Sequence, residues 1–147
     1  MNEVGSKVQE LMKDHVQSDV YDVGTKLGRK YYHDGKNQPT GQLEASVIHT
    51  DPETKGNEVS VSIHNDASLM EFDSMTYLHG STRWTPNDVR EMLPYFINEG
   101  VTGSLFGPVW EKLKRPYISN TFDELVEKDL VAKWMKEALK KRGITCK

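Results

Sequence analysis

Val4, Val8, Met12, Val16, Val20, Val23, Leu27 and Tyr31 recur every three or four residues, with polar residues filling the positions between them. That spacing lays a single apolar stripe along a long amphipathic helix, so the first part of the chain must find cover for one face. The protein's own sheet covers some of such a stripe, and a neighbouring copy can cover the rest. The helix stops before "HDGKNQPTG", whose glycines and proline mark a loop.

The period then changes. "LEASVIHT" is rich in β-branched residues, and "EVSVSIH" alternates, with Val59, Val61 and Ile63 on one face and Ser60, Ser62 and His64 on the other. With "DPETKGN" read as a hairpin loop, the two strands pair antiparallel. "ASLMEFD" fits a short helix or an extended link equally well. Near the C-terminus, Thr121 and Glu124 have the spacing of a capping box. Phe122, Val126, Leu130, Trp134 and Ala138, widened by Leu125 and Leu139, make the i, i+4 stripe of one last helix that Gly143 ends.

Residues 74–117 differ from both flanks, holding seven of the thirteen aromatic residues and four of the six prolines. "TPNDVREML" starts a short helix, with Thr85 as N-cap and Pro86 at the first helical position. "PYFINEG" reads as another short turn closed by Gly100. Trp84, Phe106 and Trp110 fall outside every stripe, which suits either a satellite core or a docking arm whose aromatics enter a partner's pockets. The expectation is one α+β domain over residues 1–147: a small antiparallel β-sheet flanked by long N- and C-terminal helices, with 74–117 an extended aromatic-rich loop segment.

Chemistry is harder to find. His64, Asp66, Glu71 and Asp73 gather possible ligands in ten residues, yet they match no metal-site spacing, and a solvated turn accounts for them. No Gly-x-Ser-x-Gly elbow occurs, and "GVTGSLFG" lacks the Lys-Ser/Thr of a phosphate-binding loop. Cys146, the single cysteine, leaves no internal disulfide and points to folding in the cytoplasm. No metal, cofactor or catalytic residue is expected. The alternatives are a small metal-dependent hydrolase or nuclease using residues near 64–73, and a protein-binding module that uses the aromatic segment on a different partner.

Charge says more. The net charge of −3 exerts no global pull on nucleic acid, but residues 111–147 hold ten Lys/Arg against six Asp/Glu, leaving nine against sixteen in the rest. Lys133, Lys136 and Lys140 fall at i, i+3 and i+7, one helical face that would suit an acidic partner or a DNA path. No apolar run reaches membrane-spanning length, and the N-terminus lacks the basic start and apolar stretch of a signal peptide.

Two stretches are placed like corners. Pro39 holds Gln38 extended, and Gly41 permits the positive φ that turns the chain into the first strand, where Leu43 begins the inward face. Pro116 halts any preceding helix, while Tyr117 and Ile118 staple the last helix to the sheet. The order of these pieces resembles the tail-completion, head–tail joining proteins of long-tailed bacteriophages (the minor-tail, gene-product-ten-like family). Thr40, Gly41, Leu43 and Ser46 match that family's Thr-Gly-x-Leu-x-x-Ser motif, and Glu71 with Phe72 matches part of a later signature. Arg115, Pro116, Tyr117 and Ile118 match its Arg-Pro-aromatic-aliphatic motif. Asp73-Ser74 stands where the family has Gly-Thr. The resemblance spans roughly residues 15–142. It implies a virion structural protein of the neck or tail, assembled in the bacterial host cytoplasm. Such a protein forms a ring, of six copies by analogy, that joins the head connector or stopper to the tail tube, close to packaged DNA and with no membrane.

Overall fold

The computed structural model describes residues 1–22, 41–70, 85–100 and 114–145. Helix α1 (Asn2–His15) buries Val4, Val8 and Met12, as the stripe requires. It then widens into a π-helical segment, Val16–Asp22, that buries Val16 and Val20. The stripe's spacing explains the change. Steps of four residues drift about 40° each around a helix of 3.6 residues per turn. An underwound π turn cancels that drift, so Val20 faces the same core as Met12. Val23, Leu27 and Tyr31 lie outside the described residues.

Gly41 has φ 78°, as its place in the sequence demands, but it opens a helical turn, α2 (Gln42–Ser46), rather than a strand. Leu43 and Ser46, three residues apart, are both buried by that turn. Strand β1 begins only at Val47 (Val47–His49), followed by β2 (Glu53–Lys55), β3 (Glu58–Ser60) and β4 (Ile63–Asn65).

The strands form one hairpin with two paired arms. β1 pairs antiparallel with β4, Ile48 opposite His64, and β2 pairs with β3, Thr54 opposite Val59. Between the arms the register shifts by one residue at Asp51–Pro52, just beyond the bond from Thr50 N–H to the Ser62 carbonyl (2.9 Å). A proline suits this bulge because it has no N–H to leave unpaired. The chain reverses at Gly56 (φ 63°) and Asn57, so the middle of "DPETKGN", Glu53–Lys55, is strand rather than loop. The outer arm is exposed throughout, Val59 included at 45%. Only Val61 and Ile63 of the expected inward face are half-buried.

Gly5 shows why burial stops there. A Cβ on Gly5 would lie 2.9 Å from Val61 Cγ1 and 3.0 Å from His49 Cδ2. Helix α1 thus rests directly on the inner arm, and the outer arm projects past it. A 3₁₀ turn, Ala67–Leu69, follows β4, its N-cap Asp66 accepting from Ser68 N–H at 2.9 Å.

Helix α3 (Pro86–Glu99) corrects the reading of 74–117 as a loop segment. It starts with the Thr85–Asp88 capping box and runs straight through Pro94 to Gly100, φ 75°. Val89, Leu93 and Ile97 explain the continuity: at i, i+4 and i+8 they present one apolar face on both sides of the proline. The expected turn at "PYFINEG" is the second half of this helix.

The C-terminal helix is two helices, α4 (Tyr117–Glu127) and α5 (Leu130–Lys141). Asp129, left-handed at φ 47°, separates them. Thr121 is not an N-cap but an internal, buried residue of α4 whose hydroxyl donates to the Tyr117 carbonyl at 2.6 Å. Gly143, φ 76°, follows the end of α5 as expected. The core collects Met12, Val16, Val20, Leu43, Val47, Met70, Ile97 and Tyr117, so α1, the hairpin base, α3 and α4 all close on it. The architecture is α+β.

Candidate functional site

The two corner motifs meet. Tyr117, completely buried at the start of α4, donates its hydroxyl to Asn65 Oδ1 at 2.9 Å. Asn65 Nδ2 donates to Ser46 Oγ at 2.8 Å, and Ser46 Oγ donates to the Leu43 carbonyl at 2.8 Å. One asparagine at the end of β4 therefore ties the Gly-x-Leu-x-x-Ser corner to the Arg-Pro-Tyr corner, some seventy residues apart in the chain. Tyr21, from the π segment, joins the same junction by accepting from Glu44 N–H at 3.1 Å. Burial, with Tyr21 nearby, pushes the Tyr117 phenol well above its ordinary value, and burial also raises that of Tyr21. Both tyrosines act as neutral hydrogen-bonding struts.

Arg115 and Pro116 set the entry to α4. Arg115 N–H donates to the Ile97 carbonyl at the end of α3 (3.0 Å). Its side chain is buried, and Nε has no hydrogen-bond partner among the described residues. The N-terminus of α4 is capped from another helix: Asn98 Oδ1 accepts from Ile118 N–H (2.9 Å) and Ser119 N–H (3.3 Å). Pro116, at the N-cap position, offers no such side chain. Tyr117 does staple α4 inward, but Ile118 is 38% exposed and does not.

A second polar cluster binds α4 to the first helix. His15 has Asp19 Oδ2 2.9 Å from Nδ1 and Glu124 Oε2 3.0 Å from Nε2. Asp19 also accepts from Asn120 Nδ2 (2.9 Å) and Ser18 Oγ (2.9 Å). Burial would raise the Asp19 carboxyl, but the donors Asn120, Ser18 and His15 outweigh it and hold the group below its ordinary value. The Lys128 ammonium, with help from His15, lowers Glu124 likewise.

These contacts account for the exposure of Phe122 and Val126, at 64% and 62%. The inward side of α4 is taken by Tyr117, Asn120, Thr121 and Glu124, so the apolar stripe drawn through Phe122 and Val126 faces out. On α5, Lys133, Lys136 and Lys140 are exposed and share one shallow depression with Asp129 and Glu137. Trp134 is half-buried, with Lys7 Nζ 5.6 Å from its ring centre. Lys7 also pairs with Glu137 (2.9 Å), and Lys141 with Glu3, so α5 is strapped to α1 at both ends of this seam.

Thr40, Glu71, Phe72, Trp84, Phe106 and Trp110 lie outside the described residues. His64 is exposed and Asp66 is engaged in its cap; among the described residues no three His, Cys, Asp or Glu side chains are gathered to hold a metal. No described helix is long and apolar enough to cross a membrane. Asn65 and Asn98 were not singled out by the sequence. Asn65 ends an alternating strand and Asn98 precedes a helix-ending Glu-Gly, positions where asparagine is unremarkable.

No curated protein and no solved structure matches this chain. The YomN family model matches residues 1–141, nearly the whole sequence, and the protein belongs to this phage-derived YomN family.

Proposed function

We propose that this protein is a structural component of the virion neck, joining the head connector to the tail or completing the tail tube as a ring. The observation that carries the reading is the Asn65 junction. Two motifs that resemble those of head–tail joining proteins, far apart in sequence, form one buried scaffold that fixes helix α4 on the hairpin. Such an arrangement suits a scaffold that orients surfaces. Membership of a phage-derived family is consistent with it. The action would be shape and charge complementarity, without cofactor or metal, with the connector and tail-tube proteins as neighbours and packaged DNA close by.

The test is a phage or induced prophage lacking this gene, examined by electron microscopy, together with labelled protein located in complete particles. Unjoined heads and tails, or tails of abnormal end structure, with label at the neck, are expected. Complete infectious particles from the deletion, or purified virions free of the protein, overturn the reading.

A further inference from the structure

The C-terminal helices carry two charge clusters of opposite sign, the basic one bordered by Asp129 and by Glu137, which is already paired with Lys7. On α4, Ile118, Phe122 and Val126 form an exposed apolar strip at i, i+4 and i+8, and Asp123 and Glu127 are exposed beside it one turn apart. On α5, Lys133, Lys136 and Lys140 are exposed on one face. None of these five charged groups forms an ion pair among the described residues. Their neighbours do: Lys7 with Glu137, Lys141 with Glu3, and Lys128 with Glu124. Like charges one turn apart on a helix repel, so each cluster gains from an opposite charge brought to it.

We infer that the two faces are halves of one head-to-tail contact between copies of this chain, the α4 strip of one copy seated on the α5 face of the next. Asp123 and Glu127 have the same one-turn spacing as Lys136 and Lys140, about 6 Å along the axis, so two carboxylates meet two ammonium groups in register. Phe122 and Val126 then lie against the lysine stems, apolar surface that flexible basic side chains readily supply. A second copy is the occupant because this chain carries both halves, on different helices. Every copy can therefore give one face and receive the other. A contact of this kind closes into a ring or runs on as a filament. The inference takes its biological setting from the neck assembly proposed above and supplies the surfaces for it.

The test uses the full chain, by native mass spectrometry and sedimentation at low salt. Wild type associates with rising concentration. F122S/V126S disables the α4 face and K136E/K140E the α5 face, and each weakens association at least tenfold while keeping the wild-type melting curve. Mixed together they form a discrete dimer, because one intact α4 face meets one intact α5 face. Wild type that stays monomeric at millimolar concentration, or a mixture that stays monomeric, overturns the inference. Virions lacking the protein would overturn the neck role alone and leave the dimer in the mixture standing.

Discussion

Tyr117 and Asn65 are the residues on which the fold turns. Tyr117→Phe keeps the ring in its site and removes only the hydroxyl that Asn65 Oδ1 accepts. It should cost about 1–2 kcal/mol, the penalty of an acceptor left short inside the protein, read from urea unfolding. Asn65→Ala should cost more, because it strands the Tyr117 hydroxyl and also removes the donor to Ser46 Oγ. Gly41 offers a contrasting case. Nothing lies within 4 Å of a Cβ placed there, yet φ is 78°, so Gly41→Ala should cost about 1 kcal/mol from backbone strain alone. Gly41 was legible in the sequence because turn chemistry is local. Asn65 was not, because its partners, Ser46 and Tyr117, come from distant parts of the chain.

Elements here are held mainly by one another. Helix α4 has no cap of its own and borrows Asn98 from α3, so Asn98→Ala should destabilise by about 1–2 kcal/mol and fray α4 first, visible as faster amide exchange at Ile118 and Ser119. Helix α1 sits on the hairpin through the gap at Gly5. Gly5→Leu should therefore cost about 1–3 kcal/mol despite leucine's better helix propensity, since Val61 and His49 leave no room. The His15 cluster links the π segment to α4 and makes that link acid-sensitive. Asp19 and Glu124 both have folded values below their unfolded ones. Their contribution is thus full above the unfolded carboxylate range and is lost as pH falls through the folded values. Stability should decline as pH falls below the ordinary carboxylate range, and Asp19→Asn should flatten that decline in a pH series of melting curves. Glu124 is the more solvent-screened of the pair, so Asp19 should dominate the effect.

At the scale of the whole molecule, the helices that cover the core also leave a surface uncovered. Phe122→Ser should shift stability by no more than about 0.5 kcal/mol, as exposed positions do, while weakening association between copies. A large fall in melting temperature would instead assign Phe122 to the fold. The seam between α1 and α5 is exposed and built of paired charges, so raising salt should loosen it only slightly, whereas the proposed contact between copies, drawing on several carboxylate–ammonium pairs at once, should weaken steeply.

The sequence by itself determined the elements whose signals are local. The α1 stripe, the Thr85–Asp88 cap of α3, the left-handed Gly41 and the stop at Gly143 each follow from side-chain spacing or backbone freedom within a few residues. Tertiary structure decided which faces those elements bury. Phe122 and Val126 have the spacing of a core stripe, but Tyr117 and Thr121 occupy the core side of α4, and a helix of this length has only one inward face. Val59 alternates with Val61 correctly, but α1 reaches only as far as Gly5 can approach Val61, so Val59 stays in water. The break at left-handed Asp129 lies between two sets of tertiary partners: α4 is held by Asn98 and Asn65, and α5 is strapped to α1 through Lys7 and Glu3.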